Sequence, residues 1–138
     1  MDESKQKKYK VLLVDDDNFL LNMYESKFKK YGHEVVRATD GEDALSKLRE
    51  GLKPDIVILD IIIPRIDGLE VLKIIKKEKL AERSAVIMLT NQGESKEIER
   101  AKELGIDGYI VKAALIPSEV VVEVLRIAEN HNKTADER

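Results

Sequence analysis

The sequence predicts an α/β fold in which a five-stranded parallel sheet, in strand order 2-1-3-4-5, is doubly wound with helices on both faces. Short runs rich in Val and Ile alternate with segments whose apolar residues repeat at helical spacing. The runs at 11–14, 56–59 and 86–89 are apolar without alternation, which is typical of strands covered on both faces. Strict alternation of strand and helix implies parallel pairing through right-handed crossovers.

The predicted strands share an enrichment in β-branched residues, which favour extended backbone. They lie at 10–15, 34–38, 55–60, 85–90 and 108–112.

Each predicted strand is followed by a helical pattern with start and stop signals. The helices are expected at 18–31, 41–50, 69–79, 95–104 and 117–130. Gly32 offers a stop for the first helix, and either Thr39 or Asp40 offers a cap for the second. Ser95 is the expected cap of the fourth helix, and Pro117 suits the first turn of the fifth.

Composition favours one soluble domain over 9–130 with polar tails at 1–8 and 131–138. The 138 residues include 24 basic and 27 acidic side chains, and no basic stripe predicts direct contact with nucleic acid. The absence of cysteine excludes disulfides, zinc-thiolate sites and thiol catalysis. No stretch approaches the roughly 20 apolar residues of a membrane span, and no secretory signal is evident, so we expect a cytoplasmic protein without membrane insertion.

Polar side chains stand where four of the predicted strands end. The first strand ends in Asp15 and Asp16, the third in Asp60, the fourth in Thr90 and the fifth in Lys112. Ligands of such sheets bind outside the carboxyl ends of the strands, at the switch point between strands one and three. The sequence therefore predicts that these side chains share one pocket.

Three carboxylates in one pocket repel each other unless a cation joins them. Oxygen ligands without His or Cys favour Mg²⁺, with Mn²⁺ as a second possibility. A lysine and a hydroxyl beside the metal suit phosphoryl oxygens, and an Asp beside it could act as a nucleophile. Asp17 is expected only to cap the first helix.

The segments LLVDDD, DIVILDIIIPRIDG, VIMLT and DGYIVK, in this order and spacing, resemble the receiver domain of bacterial response regulators, which has a flavodoxin-like fold. The resemblance covers roughly residues 9–130. It implies that Asp60 is the phosphoacceptor and that Asp15 and Asp16 organise Mg²⁺ together with the backbone carbonyl of Ile62. It also implies that Lys112 binds the phosphoryl group.

The same resemblance implies a signalling role in a two-component system. Thr90 matches the switch hydroxyl and Tyr109 the aromatic switch position. The domain would accept phosphoryl from a histidine kinase or a phosphotransfer protein, and would catalyse only its own phosphorylation and dephosphorylation. A downstream protein or a second copy would bind the face formed by helix 4, strand 5 and helix 5. The last helix is apolar on more than one face, which predicts either cover by loops or an exposed strip for such a partner.

Three positions differ from the family pattern. Lys112 precedes Ala113 where a cis proline is usual, and because a cis bond without proline costs about 3 kcal/mol we expect a trans bond and a differently shaped loop. Asn91 replaces a small residue, which bears on phosphoryl access. Ile62 is apolar beside the site, and should exclude water and lengthen the life of the phosphate.

The sequence is also compatible with two other functions. A phosphohydrolase of the haloacid-dehalogenase type would use Asp15 as nucleophile and Asp17 as acid. A degenerate receiver would bind partners without phosphorylation. The chain either acts alone by docking or is a fragment of a larger protein.

Overall fold

The computed structural model describes residues 7–91 and 96–136. The strands are β1 (Lys10–Val14), β2 (Glu34–Ala38), β3 (Ile56–Asp60), β4 (Ala85–Thr90) and β5 (Gly108–Val111). The α-helices are α1 (Asn18–Lys30), α2 (Gly41–Arg49), α3 (Gly68–Glu78), α4 (Lys96–Glu103) and α5 (Pro117–Asp136). Among these residues, no helix combines the length and the hydrophobicity that a bilayer crossing requires.

The strands form one parallel sheet in the order β2-β1-β3-β4-β5, which confirms the predicted fold class. Val14 pairs with Leu59 and Asp60 pairs with Leu89, so the ends of β1, β3 and β4 lie side by side. The chain leaves β1 for β2 on one side and later enters β3 on the other. A crevice therefore opens between β1 and β3 at the carboxyl edge of the sheet.

The sheet separates two apolar clusters, because successive side chains of a strand point to opposite faces. In β1, Leu12 and Val14 pack with α2, α3 and α4, whereas Val11 and Leu13 pack with α1 and α5. These four side chains are completely buried. Both faces of the sheet are therefore covered, as the unbroken apolar runs predict.

The helix caps agree with the sequence signals where the structure describes them. The Asp17 side chain accepts hydrogen bonds from the backbone of Phe19 and Leu20 at the start of α1. Asp40 caps α2 by accepting from the Asp43 N–H at 2.8 Å, so the cap is Asp40 and not Thr39. The predicted Ser95 cap lies outside the described residues.

The C-terminal end of α5 differs from the sequence prediction. The helix continues to Asp136, within the segment 131–138 that was expected to be a polar tail. The His131 ring explains the extension: Nδ1 lies 2.9 Å from Asp107 Oδ1, and Nε2 lies 3.2 Å from the backbone oxygen of Arg83. Because Asp107 and Arg83 precede β5 and β4, these contacts fix the last turns of α5 to the amino edge of the sheet.

The apolar strip expected on α5 is mostly covered. The buried residues of the helix are Val120, Val121, Val124, Ile127 and Ala128. Among the large apolar side chains of the described part of α5, only Val122 is strongly exposed, at 59%. The broad apolar surface of α5 is therefore mainly core.

The contacts of His131 predict a local effect of His131→Ala. Loss of two polar contacts should lower the free energy of unfolding by about 1 kcal/mol and speed hydrogen exchange in the last turns of α5. Chemical denaturation and amide exchange measure both effects. Lys133→Ala, on the exposed side of the same helix, is the control. Unchanged exchange in His131→Ala would contradict the assignment.

Candidate metal and phosphoryl site

Three carboxylates meet at the carboxyl edge of the sheet, where β1 and β3 end. One oxygen from each of Asp15, Asp16 and Asp60 lies within 4.8 Å of the others. Asp15 is fully buried and Asp60 is 5% exposed, whereas Asp16 faces solvent. The adjacency of β1 and β3 thus brings together the acidic residues that the sequence predicted to share a pocket.

The backbone after β3 fixes the position of Asp60. Asp60 Oδ1 accepts from the Ile62 N–H at 3.4 Å, and the Gly68 N–H donates to the Ile61 carbonyl at 2.7 Å. A Cβ atom on Gly68 would lie 2.2 Å from the backbone oxygen of Asp60, which is an impossible contact. Glycine at this position therefore lets α3 begin directly against the end of β3.

The acidic triplet after β1 divides into different roles. Asp15 Oδ1 accepts from the Asp17 N–H at 3.0 Å, which orients the Asp15 carboxylate. The Asp17 side chain caps α1, as predicted. Only Asp15 and Asp16 of the triplet belong to the carboxylate group.

Lys112 joins the two buried carboxylates. Its Nζ lies 2.7 Å from Asp60 Oδ2 and 2.9 Å from Asp15 Oδ2, and its side chain is 13% exposed. The described residues contain no cis peptide bond, so the Lys112–Ala113 bond is trans as predicted. Residues Lys112–Ala114 form a short 3₁₀ helix in place of an open loop.

The electrostatics of the site follow from burial and close charges. Burial raises the pKa of Asp60 to about 6, with the hydrogen bond and charge of Lys112 opposing and the charge of Asp15 adding. Burial alone would lower the pKa of Lys112, but its contacts with Asp60 and Asp15 outweigh burial and the net pKa is raised. The cluster therefore keeps Lys112 charged, whereas the negative charge of Asp60 is only partly compensated.

The residues fit a hard divalent cation. Asp15 Oδ2 is sealed from solvent, and no donor among the described residues meets it with hydrogen-bond geometry, although Lys112 Nζ is close. The single ammonium of Lys112 is shared between this oxygen and Asp60 Oδ2, so two buried carboxylates are only partly compensated and favour a further positive charge. Oxygen-only donors at this separation suit Mg²⁺.

The other predicted residues occupy different surroundings. Ile62 and Asn91 line the cleft at the carboxylates, and Ile62 is 70% exposed. Thr90 is buried at the end of β4, the neighbour of β3. Tyr109 packs on the side of α2, α3 and α4, with Lys102 Nζ 5.4 Å from its ring centre. Tyr109 is therefore not part of the cleft, and the structure places it against α4.

The cleft has a volume of about 460 Å³ and contains residues that sequence reasoning did not connect with the site. Tyr24 of α1 lines it, together with Leu115 and Pro117 from the segment after β5. In the sequence, Tyr24 stands at helical spacing between Leu20 and Phe28, a pattern that is typical of core residues. The only sequence signal was that a residue with a hydroxyl group stands in that pattern.

A second feature missed from the sequence is an ionic link to the loop after β3. Arg65 has a positive φ of 73°, which few residues other than glycine adopt. Its guanidinium lies 3.4 Å from Asp40 and 3.6 Å from Glu42. The loop that carries Ile62 is therefore connected to the start of α2.

The raised pKa of Asp60 predicts that Asp60→Asn stabilises the protein in the absence of divalent metal. Because the pKa in the folded state lies above the ordinary 3.8, the ionised side chain opposes folding above about pH 6. The neutral amide should raise the free energy of unfolding by about 1 kcal/mol at pH 8 after allowance for solvent screening. The gain should shrink below pH 4, where the carboxyl is protonated in both states. Urea denaturation in chelator measures it.

Asp16→Asn is the matched control for this measurement, because Asp16 belongs to the same group but faces solvent. A much smaller change is expected for it. Equal or lower stability of Asp60→Asn would show that Lys112 fully compensates the Asp60 charge.

Comparison with known proteins agrees with this geometry. The chain is 36% identical over 118 residues to the alkaline phosphatase synthesis transcriptional regulatory protein PhoP of Bacillus subtilis, covering 86% of this chain and 48% of PhoP. It is 36% identical over 135 residues to the probable transcriptional regulator ycf27 of Guillardia theta, covering 98% of this chain and 51% of that protein. The chain thus spans about half the length of these relatives.

Solved structures show the same fold. The chemotaxis response regulator CheY4 of Vibrio cholerae matches with a TM-score of 0.79 and 27% identity, over 88% of this chain and 99% of CheY4. A CheY-like receiver domain protein from Methanospirillum hungatei matches with a TM-score of 0.81 and 25% identity, over 93% of this chain and 99% of that one. Residues 11–124 match the family described as the response regulator receiver domain. The chain therefore belongs to the receiver domains of two-component response regulators.

Proposed function

We propose that the chain is a phosphorylation-dependent switch that accepts a phosphoryl group on Asp60 from a histidine kinase or a phosphotransfer protein. The observation that supports this most directly is the position of Asp60. It lies at the end of β3 within 2.7 Å of a charged lysine and beside two further carboxylates. Family membership favours this function over the phosphohydrolase alternative with Asp15 as nucleophile.

The proposed reaction uses the ionised carboxylate of Asp60. One of its oxygens attacks the phosphorus of a phosphohistidine, the P–N bond breaks, and the departing imidazole takes up a proton from solvent. Lys112 lies close enough to Asp60 to bind an oxygen of the transferred group. The Thr90 hydroxyl, on the adjacent strand, is the proposed ligand of another oxygen.

Asp15, Asp16 and Asp60, with the backbone carbonyl of Ile62, are the proposed ligands of Mg²⁺. The bound ion would neutralise negative charge that accumulates on the transferred phosphoryl group. Asp15, fixed by the Asp17 N–H, would present its second oxygen without rearrangement.

The surroundings of the cleft suit a protein donor. Ile62 lines the cleft and is 70% exposed. Phe19 and Ile116 do not line it, but they adjoin lining residues in the chain and are 70% and 61% exposed. Exposed apolar side chains around a cleft mark interaction sites. A phosphodonor protein that delivers its histidine to Asp60 would cover them.

Phosphoryl labelling with acetyl phosphate and Mg²⁺ tests the function. We expect one phosphoryl group on the wild type, none on Asp60→Asn, and continued labelling of Asp17→Asn, since Asp17 caps α1 and is not part of the carboxylate group. Intact-mass spectrometry and peptide mapping measure the site. The apolar Ile62 beside the site predicts that the label persists, so loss within seconds would contradict that expectation.

The alternatives give different results in the same experiment. Label that survives Asp60→Asn and disappears in Asp15→Asn would support the phosphohydrolase. A wild type that takes no label and shows no response to Mg²⁺ and beryllofluoride would support a degenerate receiver.

The downstream surface is proposed to be the face of α4, β5 and α5, for a protein partner or a second copy. Tyr109 lies on β5 against α4, so a change in its position would alter this face. Val122 supplies an exposed apolar side chain on α5. Phosphorylation would shift the equilibrium between two arrangements of this face.

A second copy on this face predicts that beryllofluoride increases the sedimentation coefficient of the wild type but not of Val122→Lys. A lysine at an apolar contact would remain in water and disfavour the dimer. Ser46→Lys, exposed on α2 across the sheet, is the control and should behave as wild type. Equal sedimentation of wild type and Val122→Lys with the mimic would reject the dimer in favour of a different partner.

A further inference from the structure

Tyr24 is a polar residue inside the cleft that the proposed function does not use. It lies on α1, is 3% exposed, and lines the cleft with Asp15, Asp60 and Lys112. Side chains of a helix point towards its N-terminus, which directs the phenol of Tyr24 towards the carboxyl edge of β1.

The hydroxyl of Tyr24 has no hydrogen bond to any residue in the ranges 7–91 and 96–136; the charges of the site act on it through space. Tyr9 is a useful contrast, since its hydroxyl accepts from Asn132 Nδ2 at 3.4 Å. The Tyr24 oxygen is not among the polar atoms sealed from solvent in the described residues, so it reaches the cleft although most of the ring is buried. The Tyr24 hydroxyl is therefore available to a group that enters or moves within the cleft.

The phenol remains neutral in this environment. Burial raises the pKa of Tyr24 above 10.0, and the charges of Asp15 and Asp60 raise it further, against the opposing effect of Lys112. A neutral phenol both donates and accepts hydrogen bonds. Its oxygen is therefore an acceptor that carries no charge in a cleft where the other acceptors are carboxylates.

Lys112 is the charge that acts most strongly on Tyr24. Its ammonium has three N–H groups and lies against Asp60 Oδ2 and Asp15 Oδ2, two oxygens of the carboxylate group. A divalent cation bound by these carboxylates would repel the ammonium and compete for the same oxygens. An ammonium on a largely buried side chain needs another acceptor if it leaves these oxygens.

We propose that Tyr24 is a positioning residue for Lys112, and that its hydroxyl oxygen accepts a hydrogen bond from the ammonium when a divalent cation occupies the carboxylates. The ammonium then stays in the cleft, ready for a phosphoryl oxygen. This inference rests on the proposed function, because it assumes that the carboxylates bind Mg²⁺.

Mg²⁺ affinity of the full chain, measured by calorimetry, tests the proposal. Tyr24→Phe removes one hydroxyl with little change of shape, and should weaken Mg²⁺ binding about three- to tenfold, the worth of one hydrogen bond. Tyr31→Phe, at the exposed end of α1, is the matched control and should bind as wild type. Lys112→Met should bind Mg²⁺ more tightly, and Tyr24→Phe should have no further effect in that background.

The Lys112→Met background shows whether Tyr24 acts by positioning Lys112 or only by stabilising the fold. Unchanged affinity in Tyr24→Phe, or an equal loss in the Lys112→Met background, would overturn the proposal. A wild type that binds no Mg²⁺ would overturn both this inference and the proposed function, whereas binding that is indifferent to Tyr24 would overturn the inference alone.

If Tyr24→Phe folds poorly, NMR spectroscopy of the wild type tests the same contact between Lys112 and Tyr24. Addition of Mg²⁺ should strengthen the nuclear Overhauser effect between the Lys112 side chain and the Tyr24 ring. A weaker effect, with Lys112 moving away from the ring, would overturn the proposal.

Discussion

The contact of one ammonium with two buried carboxylates is the interaction on which the rest of the site depends. Asp15 and Asp60 end neighbouring strands, so the pairing that makes the sheet also forces their charges together. An isolated buried carboxylate would cost several kcal/mol. Lys112, from the end of β5, offsets part of that cost, and the pKa of Asp60 shows that the compensation is incomplete. The two carboxylates therefore repel each other in part, and a second cation bound beside Lys112 would reduce this repulsion.

The sequence predicted much of this because the main signals are local or topological. The apolar runs at 11–14, 56–59 and 86–89 determine which strands are covered on both faces, and the order of elements then places Asp15 and Asp60 at one edge. Tyr24 escaped prediction because a helical stripe specifies the buried side of a helix and gives no information on how close a side-chain tip lies to a neighbouring cleft. The end of α5 escaped it because polar residues after 130 carry no helical pattern. Their helical conformation depends on contacts of His131 with Asp107 and Arg83, which are distant in sequence.

The loop after β3 has constraints at both ends. Gly68 seats α3 against the carbonyl of Asp60, and Arg65 lies beside Asp40, which also caps α2. The ion pairs of Arg65 with Asp40 and Glu42 are largely exposed, and each contributes little to the free energy of unfolding. Their importance is geometric, since they connect the segment with Ile62 to the start of α2. The positive φ of Arg65 could not be expected from the sequence, because nothing local favours that conformation for arginine.

The length of α5 has a mechanical consequence. Pro117 borders the cleft at the carboxyl edge of the sheet, and His131 is held at the opposite edge, so the helix crosses the whole width of the domain over about 20 Å. Because α5 is rigid and packs on the sheet, a tilt of the helix near Pro117 also displaces its other end, near His131. The contacts of His131 with Asp107 and Arg83 oppose this displacement. Their strength therefore determines how far a movement near the cleft changes the position of the last turns of α5.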